Sequence, residues 1–332
     1  MIYKKIKNQL IGTEGDKKVY KETIFIDNDK YGMFYVTENV NKPVILFLHG
    51  GPGSPEYVFF QSQIKSLYLD HFYTVCYMEQ RGSGMLFENN KNLTVEILVS
   101  DIKKFSVYLC QKFKQEKIIL MGHSWGTWLG LQATIEFPEL FSCYIGISQL
   151  INVKASEKES YHYFVKALED VGDQKMLQEL SRFDVNVAQF PQQKYLKNTK
   201  TKILRKLHVG LTRIPLPNDM LVKNLFHFKG YTVSEKIKLL RGMVRSGKIF
   251  MEELRNLNIG TSELKIEIPV LIIHGKFDYQ VSINISQNLF SKIEAPLKQY
   301  IVFNESAHFP HYEETELFTQ KINEFIIKAK TS

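Results

Sequence analysis

Residues 118–130, IILMGHSWGTWLG, restrict the fold of this chain more than any other stretch. Ile118, Ile119, Leu120 and Met121 form a short apolar run bounded by Gly122, which predicts a strand buried on both faces. Gly122, His123, Ser124, Trp125 and Gly126 then spell G-x-S-x-G, and residues 127–135 have helical spacing. Strand, sharp turn and helix come in the order that holds a serine on a strained elbow above a sheet. The flanking glycines fit because side chains would crowd so tight a turn. Ser124 also stands at the start of a helix, where unpaired N–H groups and the helix dipole favour an anionic intermediate.

Around the elbow the pattern alternates strand and helix. Two β-rich runs within residues 18–37 flank the turn sequence Asp27-Asn28-Asp29-Lys30 and predict an antiparallel hairpin. Residues 44–48 predict a strand that ends in the loop His49-Gly50-Gly51-Pro52-Gly53. Helical spacing over 57–69, a strand over 72–78 and a second glycine loop, Glu79-Gln80-Arg81-Gly82-Ser83-Gly84, follow. Residues 94–113 predict an amphipathic helix capped by Thr94, and 144–147 one more strand. The rhythm then breaks. Residues from about 149 to 265 carry helical, lysine- and aromatic-rich segments, including 161–171, 175–182 and 219–228, without a strong strand signal. Strands at 270–273 and 298–303 and a closing helix at 315–329 resume the pattern. The expected organisation is a core over residues 1–149, a helical cap insertion over 150–265 and the rest of the core over 266–332. A parallel sheet with helices on both faces binds ligands at the carboxyl ends of its strands. HGGPG, EQRGSG, GHSWG, HGKFD and the loop 304–308 all leave such ends.

Bulk properties narrow the class. The 332 residues, 44% hydrophobic, can bury a full core and a smaller second unit. No apolar run approaches the ~20 residues of a membrane helix, and the opening residues lack the apolar segment of a signal peptide. A cytoplasmic protein with no membrane partner is expected. Cys76, Cys110 and Cys143 are odd in number and unpaired in spacing, which reads as buried thiols in a reducing compartment. The net charge of +8 is uneven: residues 151–265 hold 21 Lys and Arg against 12 Asp and Glu, so the whole excess lies in the insertion. With no aromatic-interleaved groove or nucleic-acid module beside it, this reads as a solvated lysine-rich surface, and no nucleic-acid partner is expected. The sharper reading is a basic lid that draws in anionic substrates.

A serine hydroxyl needs a base within hydrogen-bond reach, itself oriented by a third group. On this arrangement of strands the order is serine, acid, histidine. Asp278 lies in the loop after the resumed strand and His308 after the last one; residues 148–153 offer no carboxylate. His274, which precedes the acid loop, and His311 compete with His308; His311 is the real rival, but it stands closer to the final helix. An oxyanion hole needs two backbone donors. Trp125 N–H follows the nucleophile directly, and the other is expected from the HGGPG loop, where Pro52 has no N–H and Gly51 is preferred over Gly50. Neither a metal-ligand cluster nor a phosphate-binding loop is present in the spacing, so no cofactor and no metal are expected.

HGGPG, an (D/E)QRGxG loop, GxSWG, a late Asp and a late His together resemble the prolyl aminopeptidase (proline iminopeptidase) branch of the α/β-hydrolase fold, over residues 40–150 and 268–315. The resemblance implies an α/β fold, a mostly parallel sheet flanked by helices with an inserted helical cap domain. It also implies catalytic Ser124, Asp278 and His308, oxyanion donors Gly51 and Trp125, and a serine hydrolase acting through an acyl-enzyme. An aminopeptidase for small N-terminal residues comes first, with a small-molecule or short-peptide substrate. Members that remove N-terminal proline carry cap carboxylates for the free ammonium, often in a W-x-x-W-E segment. This insertion has no tryptophan, and Glu157 is its candidate for substrate contact, ahead of Glu159, Glu169, Asp170 and Asp173. Glu79 is a second candidate, standing where the family usually has Asp. A carboxylesterase or other small acyl-ester hydrolase is the alternative, and a non-catalytic small-molecule binding protein on the same scaffold is more remote. Epoxide and haloalkane hydrolases of this fold use Asp as nucleophile, and position 124 is Ser. The sequence is silent on oligomeric state.

Overall fold

Alternation along the strands decides how the sheet is buried. The computed structural model describes residues 2–14, 17–60, 68–88, 93–214, 216–217, 219–259 and 263–331. Its strands are β1 (Tyr3–Glu14), β2 (Lys17–Ile26), β3 (Asp29–Thr37), β4 (Val44–Leu48), β5 (Thr74–Glu79), β6 (Ile118–His123), β7 (Phe141–Ile147), β8 (Leu264–Lys265), β9 (Val270–Gly275), β10 (Ile293–Glu294) and β11 (Lys298–Phe303). A main sheet runs in the order β1-β2-β3-β5-β4-β6-β7-β9-β11, while β8 and β10 form a small parallel pair apart from it. From β5 to β11 every pairing is parallel. Central strands of that kind are covered on both faces: on β4, Val44, Leu46 and Leu48 join one core cluster, Ile45 and Phe47 the other.

Helices supply both covers. Beside the short α1 (Glu56–Phe59), α2 (Val95–Phe113) begins at the predicted cap, where Thr94 Oγ1 accepts from Ile97 N–H. It lays Leu98, Ile102, Phe105 and Leu109 on the first face, together with Leu129 of α3 (Trp125–Glu136). Each such side chain contributes about 1.5–3 kcal/mol on full burial. The insertion follows with α4 (Val153–Asp170), α5 (Gln174–Leu180), a π-helical stretch Tyr195–Lys200, α6 (Thr201–Leu207), α7 (Met220–His227), α8 (Val233–Ile249) and α9 (Met251–Asn256). After it come α10 (Ile283–Lys292), α11 (Pro310–Glu313) and α12 (Thr315–Ala329), whose Phe318, Ile322 and Phe325 cover the second face.

The hairpin is present as β2 and β3, with Asp27 and Asn28 at positive φ in its tight turn. Strand β1 has no counterpart among the expected elements. Its lysine-rich sequence carries little apolar signal because it is the outer edge of the sheet, where charge discourages further pairing. Most of the helix expected over 57–69 falls on 61–67, outside the described residues. Cys76 and Cys143 are buried as expected, but Cys110 is only half-buried; all three are free. Among the described residues no helix is long and apolar enough to cross a membrane.

The inserted helices attach in two ways. Phe164, Leu168, Leu180, Phe190, Tyr195 and Ile203 form a core of their own. Leu225, Phe228, Tyr231 and Leu239 instead join the cluster on the second face of the sheet. The glycine loop after β5 is fastened independently. Arg81 Nε and Nη2 grip Asp101 of α2 at 2.8 and 2.7 Å, and Tyr31 Oη donates to the same carboxylate at 2.7 Å. Both partners are buried, with Asp29 also 3.3 Å from Arg81 Nη2, and breaking a buried ion pair is destabilising. Asp101→Ala is expected to lower the unfolding free energy by about 3 kcal/mol in urea denaturation.

Candidate active site

The elbow is strained as its sequence requires. Ser124 takes φ 52° and ψ −120°, which L side chains seldom adopt. Its N–H donates to Ile147 O at 3.0 Å and its carbonyl accepts from Thr127 N–H at 2.9 Å, tying the turn to β7 and α3. A Cβ on Gly122 would lie 2.6 Å from Gly126 O, and one on Gly126 would lie 2.2 Å from Leu48 O. Only glycine fits at either position.

Asp278 follows β9. Its Oδ1 accepts from Gln280 and Val281 N–H at 2.8 and 3.0 Å, which fixes the carboxylate. Oδ2 then lies 2.8 Å from His308 Nδ1 and 3.4 Å from His274 Nε2. Burial pushes the Asp278 carboxyl up, but the charge and hydrogen bond of His308 and the bond from His274 outweigh it, so it sits far below the usual carboxylate range. Burial pushes His308 down, and the Asp278 charge restores only part of that, leaving it below the ordinary histidine value. His308 is therefore neutral near pH 7, with Nδ1–H toward Asp278 and Nε2 free to take a proton. No hydrogen bond joins Nε2 to the Ser124 hydroxyl in the structure; bonds of this kind commonly tighten only around bound substrate. The His308 ring lies 4.7 Å, centroid to centroid, from that of His123, next to the serine.

A second buried carboxylate, one with no motif to mark it in the sequence, organises the backbone around these groups. Glu56 accepts from Gly50 N–H at 3.0 Å, His123 Nδ1 at 2.5 Å, His311 Nε2 at 3.2 Å and Tyr312 Oη at 3.2 Å. His123 Nε2 donates onward to His308 O at 2.9 Å, where Ser148 Oγ also donates at 3.1 Å. Burial pushes Glu56 up, yet the charge and bond of His123 and the bond from His311 hold it well below its usual value. Burial lowers His123, but Glu56 outweighs it and raises the imidazole, which donates through both nitrogens as an imidazolium. Burial takes His311 down to about 4, so it is neutral. The ligand atoms of Glu56, His123 and His311 lie within 4.8 Å of one another. The only sequence hints are a lone carboxylate before the apolar run YVFF and a histidine at each of 123 and 311.

The HGGPG loop passes directly over the elbow: a Cβ on Gly50 would be 3.3 Å from Ser124 Cβ. Gln80 braces it, donating to His49 O at 2.8 Å and accepting from the Trp125 indole at 2.9 Å. Gly51 sits at φ +122°, and among the described residues neither its N–H nor that of Trp125 has an acceptor. The two candidate substrate contacts each have partners within the protein. Glu79 accepts from Met85 N–H at 2.8 Å and from the Tyr231 hydroxyl, and burial raises it to about 7 against both bonds. Glu157 Oε1 pairs with Lys200 Nζ at 2.5 Å, both buried, while Oε2 has no partner among the described residues; burial raises this carboxyl against the lysine. A cavity of about 310 Å³, lined by Leu204, Val209, Leu211, Leu216 and Leu221, also touches Gln280. Its wall is tied to the pair, because His308 N–H donates to Gly210 O at 2.9 Å.

Residues 43–315 match the sequence profile of a family described as alpha/beta hydrolase fold, and the chain belongs to that family. It is 30% identical over 302 residues to the probable aminopeptidase YbaC of Bacillus subtilis (strain 168), covering 90% of this chain and 93% of that one. To the proline iminopeptidase of Saccharolobus solfataricus it is 24% identical over 314 residues, covering 94% and 92%. The crystal structure of proline iminopeptidase from Mycobacterium smegmatis superposes with a TM-score of 0.62 at 17% identity, covering 93% and 98%, a likeness of fold.

The Glu56 cluster sets a pH dependence. The stability contributed by its depressed carboxyl is present above the ordinary value of 4.5 and lost as pH falls through the folded value. The contribution of His123 runs oppositely, present below 6.5 and lost as pH rises through its raised value. Glu56→Gln is expected to cost about 3 kcal/mol near pH 6. Wild type should also lose more stability than the variant as pH falls below about 4.5 in chemical denaturation.

Proposed function

We propose that this protein is a serine hydrolase working through an acyl-enzyme, and specifically an aminopeptidase of the proline iminopeptidase type that releases small N-terminal residues. The observation that carries the chemistry is the buried Asp278–His308 pair, set beside a strained elbow serine and two N–H groups without acceptors. Ser124 Oγ attacks the carbonyl carbon as His308 Nε2 takes its proton, and Asp278 holds the imidazole in the required tautomer. The oxyanion takes the N–H groups of Gly51 and Trp125, each worth about 3 kcal/mol of barrier. Collapse expels the amine with the proton from His308, and water then frees the acyl group by the reverse proton path. The helices of the insertion act as the cap.

Similarity to the probable aminopeptidase over most of both chains supports the peptidase reading. One observation favours the second reading, a small acyl-ester hydrolase. Lys200 already neutralises Glu157, and an ammonium would be a second cation on one buried carboxylate.

Turnover of proline and alanine arylamides, set beside short p-nitrophenyl esters, separates the two readings. Amide turnover that requires a free N-terminus is expected; ester turnover alone would leave the esterase. A fluorophosphonate should label wild type and leave Ser124→Ala unlabelled, and labelling of that variant would remove Ser124 as nucleophile. Because His308 must be neutral and titrates low, kcat/KM should fall on the acid side with an apparent pKa below about 6.5 in a profile from about pH 4 to 8.

A further inference from the structure

Helix α8 turns an apolar stripe to solvent. Val233, Ile237, Leu240 and Val244 are 75, 47, 48 and 54% exposed. At 100° per residue they fall within an arc of about 60°. The buried residues Leu239, Gly242 and Ser246 lie on the opposite side. The preceding helix is tied to α8, since Lys236 Nζ donates to the Phe226 carbonyl at 2.5 Å. Apolar residues at this spacing ordinarily seal a helix to a core, and here the core is behind the helix.

The helix is also rigid and cationic. Thr232 and Glu235 form a capping box at its start, and Lys21 of β2 holds Glu235 at 2.6 Å. Lys238 pairs with Glu88 at 2.6 Å. Arg241, Arg245 and Lys248 are exposed along one flank of the stripe and have no partner among the described residues. An apolar stripe edged by free cations is the pattern of a helix that lies in the interface of an anionic bilayer. A second copy fits less well, because a twofold contact along the stripe would bring these cations against their own copies.

We propose that α8 is a docking helix for an anionic membrane surface, with Val233, Ile237, Leu240 and Val244 entering the headgroup boundary and Arg241, Arg245 and Lys248 meeting lipid phosphates and carboxylates. This is contact with a surface, distinct from a segment that spans the bilayer. The inner face of the same helix rests on the loops over Ser124: a Cβ on Gly53 would lie 2.9 Å from Ser246 Cβ, and one on Gly242 2.7 Å from Gly82 O. A docked α8 therefore places the HGGPG and EQRGSG loops one helix diameter from the lipid.

The test is co-sedimentation of the full chain with phosphatidylcholine vesicles containing roughly 30% phosphatidylserine, against phosphatidylcholine alone. The protein should partition to the anionic vesicles and be released by about 0.5 M salt. Ile237→Ser with Leu240→Ser, and separately Arg241→Gln with Arg245→Gln, should each weaken partitioning at least about tenfold while circular-dichroism melting stays that of wild type. Wild type left in the supernatant, or both variants partitioning like wild type, would overturn the proposal. So would light scattering that finds a dimer dissolved by the Ile237 and Leu240 changes, which would assign the stripe to a second copy.

Discussion

The Glu56 carboxylate is the interaction on which the rest of the site depends. A bare carboxylate in a protein interior is untenable, and this one is made tolerable by four donors from three distant parts of the chain. The donors come from loops with different roles. Gly50 belongs to the loop over the elbow, His123 to the elbow itself, and His311 and Tyr312 to the turn after His308. Satisfying one buried charge brings the three into register. Two carboxylates thus divide the work around His308, with Asp278 on its ring and Glu56, through His123, on its backbone.

The inserted helices meet the core through polar contacts of a similar kind. Glu79 reaches from the end of β5 to Tyr231, and the small residues Gly242 and Ser246 let α8 settle on the two glycine loops. The earlier helices keep a separate hydrophobic core, within which Glu157 and Lys200 neutralise each other. Whatever selects substrate among these helices must work beside a carboxylate that already has its cation.

Legibility in the sequence follows periodicity. The elbow, the parallel strands and the closing helix carry dense apolar patterns, so their places can be read along the chain, and the fold order then points to Asp278 and His308. The Asp278–His308 bond is the geometric counterpart of that order. Glu56 is not legible because its meaning lies in three segments meeting, and no spacing encodes that. Strand β1 is hidden by its own lysines, since an edge strand gains more from charge than from an apolar face. The partners of Glu79 and Glu157 inside the protein are likewise not legible. Burial determines those partners, and a one-dimensional pattern does not record which carboxylates go inside.

The order of strands in the sheet has a temporal side. The elbow belongs to β6, near the middle, whereas β9 and β11 add to one edge of the sheet beyond β7 and bring Asp278 and His308 with them. On a ribosome the serine emerges with the insertion still to be made and its proposed base unsynthesised. On the proposed reading the Ser124 hydroxyl has no base throughout that interval. On the same reading, reactivity arrives only when the last strand docks, so the appearance of turnover during synthesis would time the closing of the sheet.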